Sequence, residues 1–218
     1  MQNNEKVKII NADCMEIMKE YPDKYFDIAI VDVPYGKNCD LRQSKSRWHE
    51  KNGFSKMWLK GKQSKWNIEP EKEYFDELFR ISKNQVIWGA NHFISKMPKD
   101  SSCWLIWDKK QRVFSFADAE LAWTSFNKSV RIFDLPRSKN NNRIHPTQKP
   151  VELYKWILKQ FAQTEMKILD THLGSGSSLI AADSFGISEF VGIEIDTEYY
   201  EQALKRYNEY KAQLQINY

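Results

Sequence analysis

The chain has 218 residues, 41% hydrophobic and 28% charged, with a net charge of +4 and a mean hydropathy of −0.67. That length fits one domain (1–218) with a full core; with no apolar run of membrane-spanning length and no secretory leader at Met1 to Lys6, a soluble cytoplasmic protein is expected. Cys14, Cys39 and Cys103 share no C-x-x-C spacing and the four histidines are scattered, so neither a disulfide framework nor a metal site is expected.

In chain order, Val7 to Ile10 reads as a strand ended by Asn11-Ala12-Asp13, and Cys14 to Tyr21 as a short helix. Phe26 to Asp32 is a continuous apolar strand of the kind covered on both faces in a parallel sheet. Pro70 opens a helix through Ser82, with Tyr74, Leu78 and Ile81 on one stripe. Gln85 to Gly89 reads as a strand, Ala90 to Lys96 as a short helix, and Cys103 to Trp107 as a strand ending at Asp108. Ala119 to Phe126 and Val130 to Phe133 predict a hairpin around Asn127-Lys128-Ser129, followed by a polar, asparagine-rich loop over 134–144. Pro150 begins a helix through Gln160; Lys167 to Asp170 is a strand, Ser177 to Phe185 a helix and Phe190 to Ile195 a strand. The last helix, Thr197 to about Gln213, starts with a threonine cap. Strands alternating with helices imply an α/β fold with a mostly parallel sheet and right-handed crossovers.

Charge is unevenly spread. Between Lys37 and Trp66 nine basic residues face only Asp40 and Glu50, a local balance of +7. Trp48, Phe54, Trp58 and Trp66 interleave with them. Lysines and arginines with aromatics among them suit a phosphate backbone and unstacked bases, which makes Lys45, Arg47, Trp48, Lys56, Trp58 and Lys60 candidate nucleic-acid contacts. A surface insertion whose tryptophans tuck into the core is the alternative.

Two stretches carry chemistry. Asp32-Val33-Pro34-Tyr35-Gly36 ends a buried strand, and ligands of open α/β sheets sit at that carboxyl end. Asp32 and the Val33 carbonyl can accept N–H bonds and Tyr35 offers a flat face, a set suited to an amino-bearing planar ring; a strand end with an Asx-turn and a packing tyrosine is the bland alternative. Asp170 to Gly176 leaves a strand and opens a helix, with Gly174 and Gly176 letting the backbone turn tightly beside a ligand. The third glycine of the dinucleotide fingerprint is missing, while Glu194 ends the next strand where an acid binds ribose hydroxyls. A ribose without a pyrophosphate suggests S-adenosylmethionine.

Asp32-Val33-Pro34-Tyr35, then His145-Pro146-Thr147-Gln148-Lys149-Pro150, then Asp170 to Gly176, in that order, resembles the β-class DNA amino-methyltransferases, over nearly the whole chain except the basic insertion 37–66 and the short loop that follows Asp134. The resemblance implies a Rossmann-like methyltransferase fold, with a seven-stranded, mostly parallel sheet, one antiparallel strand and a circularly permuted motif order. It implies Asp32, Val33, Pro34 and Tyr35 as catalytic, Asp13 on the cofactor adenine, Glu194 on its ribose, and Asp170, Gly174 and Gly176 at its methionine end. Thr147 and Lys149, with His145 of the same motif, would close the methionine pocket. The chain departs from the family's wording at Val33, where proline is usual, and at Thr171-His172, where proline–phenylalanine is usual.

By the same resemblance, aspartate as the first motif residue favours adenine-N6 in double-stranded DNA over cytosine-N4, where serine is more frequent. RNA or protein-glutamine methylation, or a nucleic-acid-binding module that has lost activity, are the other readings. The sequence leaves open the target site, a homodimer and a restriction endonuclease partner. With only the 134–144 loop where a recognition domain often stands, the 37–66 insertion is the first candidate for DNA recognition.

Overall fold

The computed structural model describes residues 6–36, 68–112, 117–136, 144–145 and 147–216. Eight strands form one sheet in the order β1-β8-β7-β2-β3-β5-β4-β6. They are β1 (Val7–Asn11), β2 (Phe26–Asp32), β3 (Ser82–Trp88), β4 (Trp104–Asp108), β5 (Ala119–Thr124), β6 (Arg131–Asp134), β7 (Lys167–Asp170) and β8 (Glu189–Glu194). Among the described residues five α-helices accompany them: α1 (Cys14–Lys19), α2 (Lys72–Ile81), α3 (Val151–Phe161), α4 (Ser177–Phe185) and α5 (Thr197–Ile216). Among the described residues no helix is long and apolar enough to cross a membrane.

Period-two alternation divides the core. Ile28 and Ile30 of β2 face one layer, with Leu153, Tyr154, Ile157 and Leu158 of α3 and Leu179 of α4. Ala29 and Val31 face the other, with Met18 of α1 and Phe75, Leu78 and Ile81 of α2. Both faces of β2 are thus covered, which is why Ile28 to Val31 is an unbroken apolar run, with Asp27 before it paired to Lys83. Each fully buried side chain of α2 contributes about 1.5–3 kcal/mol by leaving water.

Every strand except β5 runs in one direction: β1, β8, β7, β2 and β3 pair in parallel, β5 is antiparallel to β3 and β4, and β6 is parallel to β4. From β7 the chain proceeds outward to β8, and from β2 outward the other way to β3, so the sheet's topological switch point lies between β7 and β2. In open α/β sheets ligands bind beyond the carboxyl ends of the strands at that point. The tips along that edge are Asn11, Glu194, Asp170, Asp32, Trp88, Asp108 and Asp134.

The sheet corrects several expectations. The described residues form a sheet of eight strands rather than seven, because the short β6 adds an edge strand with Ile132 outward. The expected hairpin of Ala119–Phe126 with Val130–Phe133 does not form: β4 lies between its two strands and pairs with both. The Asn127-Lys128-Ser129 turn is local chemistry, whereas β4 offers each strand a buried neighbour. Ala90 to Lys96 is two 3₁₀ turns, Ala90–His92 and Ile94–Lys96, rather than one helix. The cap of α5 is Asp196, whose Oδ1 accepts the Glu198 and Tyr199 amides at 3.0 and 3.2 Å; Thr197 instead donates its hydroxyl to Asn11 Oδ1 at 2.9 Å.

Candidate functional site

Asp32 ends β2 with both carboxylate oxygens engaged. Oδ1 accepts the Tyr35 hydroxyl at 2.9 Å, and Oδ2 lies 2.5 Å from Lys149 Nζ. Lys149 also lies 3.1 Å from Glu120 Oε2, and the other oxygen of Glu120 lies 2.6 Å from Lys109 Nζ. The result is a row of alternating charges, Asp32, Lys149, Glu120 and Lys109. The Lys149 side chain is only 1% exposed, against 13% for Asp32 and 25% for Glu120.

Topology explains the row. Because β5 runs against its neighbours, its first residues, including Glu120, lie at the edge where the parallel strands end. Lys149 stands immediately before Pro150, which caps α3 with φ −69° and directs the chain into the helix over β2.

Burial pushes the Asp32 carboxyl above its usual range, with Lys149 opposing and the Glu120 charge adding to the rise. Burial acts on Glu120 in the same sense, but Lys149 and Lys109 together outweigh it and hold that acid at about 2. Lys149 itself is raised: burial alone would lower it, and its two carboxylates prevail. The environments therefore separate the two acids, Glu120 as the fixed anion and Asp32 as the responsive one.

Tyr35 is held from several sides. His92 stacks on it with ring centroids 4.9 Å apart and planes at 24°. Gly89, at the end of β3 with φ +72°, lies so close that an added Cβ would fall 1.9 Å from Tyr35 Cε1. Alanine there must expel the ring and adopt a left-handed φ as well. Gly89→Ala is expected to weaken capture of a stacked base by about 1–3 kcal/mol, read as a raised KM for DNA with unchanged cofactor affinity. Trp88, beside Gly89, is fully buried, and among the described residues its indole Nε1 is the buried side-chain polar atom without a hydrogen-bond partner. Lys149 Nζ lies 5.3 Å from the Trp88 ring centre, within cation–π range.

The second half of the site follows β7. Gly174 and Gly176 have φ of +53° and +72°. Glu194, 7% exposed at the tip of β8, accepts the Gly174 amide through Oε2 at 2.8 Å and the Asp196 amide through Oε1 at 2.9 Å. One carboxylate thus fixes the glycine turn and the start of α5. Asp170 accepts the His172 amide at 3.0 Å and the Ser178 hydroxyl at 2.5 Å. Burial, with Asp32 and Glu194 nearby, raises its carboxyl to about 7 against those two hydrogen bonds.

The Thr171-His172 departure has a polar explanation. Tyr74 of α2 bonds Thr171 Oγ1 at 2.6 Å, and that oxygen lies 2.9 Å from His172 Nδ1. Burial pushes His172 down to about 4, so a neutral imidazole stands edge-on to Tyr74 where the usual motif would pack apolar rings.

His145 lies over the glycine turn, its ring 4.3 Å from that of Tyr199; a Cβ on Gly174 would come within 3.8 Å of it. Burial first and Lys149 second push His145 down to about 3, leaving it neutral. Its Nδ1 accepts the Thr147 amide at 3.3 Å, and Thr147 is exposed. Asp13 follows the β1 tip and caps α1, accepting the Met15 amide at 2.8 Å.

The structure therefore brings Asp32, Tyr35 and Lys149 together on one side of the switch point, and Asp170, Gly174, Gly176, Glu194 and His145 on the other. Lys149, expected at the methionine pocket, has its ammonium on Asp32. Glu120, Lys109, Gly89, His92 and Trp88 join the site without a motif in the sequence to mark them. Lys45, Arg47, Trp48, Lys56, Trp58 and Lys60 lie outside the described residues, as does Pro146.

A doubly wound sheet with two acid-bearing tips at its switch point places both acids where ligands of open α/β sheets bind. A family model described as DNA methylase, covering N6 and N4 amino-methyltransferases, matches residues 2–205, and the chain belongs to that family. The type II methyltransferase M.HinfI of Haemophilus influenzae is 26% identical over 253 residues, covering 93% of this chain and 68% of that one. The type II methyltransferase M2.MboI of Moraxella bovis is 24% identical over 248 residues, covering 95% and 89%. Among solved structures, M1.HpyAVI in complex with S-adenosylmethionine superposes with a TM-score of 0.61 at 21% identity, covering 92% of this chain and 99% of that one. The cytosine-N4-specific PvuII DNA methyltransferase does so with a TM-score of 0.63 at 10% identity, covering 93% and 86%.

The methyl donor of this DNA methylase is S-adenosylmethionine. The donor set fits it. Asp170 is buried and forms no ion pair among the described residues, so it has an unmet preference for a cation. Glu194 keeps lone pairs beyond its two amide contacts for hydroxyls.

Proposed function

We propose that this methylase transfers a methyl group to the exocyclic N6 of adenine in double-stranded DNA, with Asp32, Val33, Pro34 and Tyr35 at the reacting end. The observation that carries the proposal is the Asp32 carboxylate at the β2 tip, beside Asp170 at the β7 tip, with Tyr35 bonded to it. Aspartate rather than serine in that place supports adenine over cytosine-N4, while the superposition on a cytosine-N4 enzyme shows that the fold alone is neutral between them.

The lone pair of an exocyclic amine is delocalised into its ring, so the amine is a weak nucleophile. Asp32 and the Val33 carbonyl accept its two N–H bonds and draw the nitrogen toward tetrahedral geometry, freeing the lone pair. S-adenosylmethionine, when bound, supplies the electrophilic sulfonium methyl. Positioning and electrostatics carry the rate, with no covalent enzyme intermediate. Extruding the base costs a few kcal/mol, and stacking on Tyr35 offsets about 1–3 kcal/mol of it.

On the cofactor side, Glu194 takes the ribose and Asp170, with Gly174 and Gly176, the methionine end; Asp13 lies toward the adenine, and His145 and Thr147 close over the turn. Asp170 gives this arrangement a pH signature. A cationic ligand requires the carboxylate, and the free protein holds that acid at about 7. Below that pH the proton must be displaced, so cofactor affinity is expected to fall by up to about tenfold per pH unit. Asp170→Asn should bind more weakly and lose the slope, as measured by calorimetry between pH 5.5 and 8.

The 37–66 insertion remains the proposed DNA contact on its composition. Neutralising Lys45, Arg47, Lys56 and Lys60 together is expected to flatten the salt dependence of DNA affinity. Nucleoside analysis of DNA from expressing cells tests the base assignment. N6-methyladenine is expected, and N4-methylcytosine alone would overturn it while leaving the site standing.

A further inference from the structure

The row of charges at the β2 tip poses a problem for the chemistry. Asp32 is the group proposed to accept the target amine, yet Lys149 Nζ lies 2.5 Å from its Oδ2. An ammonium is a far stronger donor than a neutral amine. A Lys149 with no other anion would keep Asp32 to itself. The same ammonium, however, lies 3.1 Å from Glu120 Oε2, and Glu120 is anchored from its far side by Lys109 at 2.6 Å. Two anions and two cations alternate from β2 across β5 to the residue after β4, and the ammonium between the acids is almost wholly buried.

We propose that Glu120 is a positioning residue for methyl transfer: it serves as the standing counter-ion of Lys149, so that the Asp32 carboxylate remains available to the target amine. The inference rests on the reading of Asp32 as the amine's acceptor. When an N–H donor arrives at Asp32, Lys149 shifts its weight toward Glu120 without leaving a carboxylate, and no buried charge is stranded. Tyr35, whose hydroxyl lies 3.4 Å from Lys149 and 2.9 Å from Asp32, stays in the same cluster throughout. Lys109 keeps Glu120 from turning away. The groups that set the charge at Asp32 are thus Lys149, Glu120 and Tyr35, while Asp170 of β7 and Tyr154 of α3 lie near enough to feel its charge.

Glu120→Gln is the direct test, because it retains the shape and removes the charge. Lys149 is then left with Asp32 as its nearest anion. At saturating DNA and S-adenosylmethionine, kcat is expected to fall about 10- to 100-fold, with the KM for S-adenosylmethionine unchanged. The acid limb of the kcat profile should also move. The Glu120 charge pushes Asp32 up, so its removal lets Asp32 ionise at lower pH, and the limb shifts to lower pH. A merely structural loss lowers the amplitude and leaves the limb in place.

Glu120→Asp is expected to restore part of kcat, and Lys109→Met to give a smaller loss; both give a measurement even where Glu120→Gln folds poorly. A folded Glu120→Gln variant with kcat within about threefold of wild type, or one whose kcat falls with an unmoved acid limb, overturns the inference. The control is Asp32→Ala. If that variant keeps full transfer, the reading of Asp32 is what fails; if it is inactive while Glu120→Gln is normal, only the role of Glu120 fails.

Discussion

Asp32→Ala is expected to lower kcat by about 10²–10³-fold while S-adenosylmethionine binding is retained. The carboxylate is the only charged acceptor proposed at the reacting end, and alanine leaves the amine lone pair delocalised in its ring. The protein should survive the change because Lys149 keeps a carboxylate at 3.1 Å in Glu120, so its ammonium is not orphaned. Nor do the Gly174 and Asp196 amides that Glu194 holds depend on Asp32. Single-turnover methyl transfer and cofactor calorimetry on the same preparation check both halves.

Lys149→Met should do the opposite kind of damage. The thioether fills most of the space but leaves Asp32, 13% exposed, with the Tyr35 hydroxyl and no cation, while Glu120 keeps Lys109. Removing one partner of a buried pair costs about 3–5 kcal/mol, so a large fall in melting temperature is expected at neutral pH. The sign of its pH dependence follows from Asp32. Without Lys149 its folded-state pKa rises further above the unfolded value, so the penalty applies above that pKa and is relieved as protonation neutralises the acid. The gap to wild type should therefore narrow on acidification. A gap independent of pH would mean that lost packing, not stranded charge, is responsible.

Much of the architecture was legible because the signals were local. Lys167 to Asp170 and Ser177 to Phe185 form the expected strand and helix to the residue. The apolar run Ile28 to Val31 marks β2 as a strand covered on both faces. What was not legible depended on sheet order. Asn127-Lys128-Ser129 is a sound turn signal, yet it does not reveal that β4 will insert between the strands it joins. Glu120 carried no local mark, since its place at the site exists only because β5 runs antiparallel. Lys149 was legible as a motif residue but not as the partner of Asp32, because Asp32 and Glu120 come from two other elements. At Thr171-His172 the departure from the motif was visible, but its compensation was not: the hydrogen bond comes from Tyr74 on α2.

In the proposed mechanism the Asp32–Tyr35 tip and the Asp170–Glu194 turn form one site for methylating an exocyclic amine of DNA. The most direct measurement supplies purified protein and its Asp32→Ala variant with methyl-labelled S-adenosylmethionine and, in parallel, duplex DNA, RNA and protein. Label is predicted in DNA alone, on adenine N6, and only with the wild-type protein. Label in RNA or protein but not in DNA, or equal DNA labelling by the variant, would contradict it.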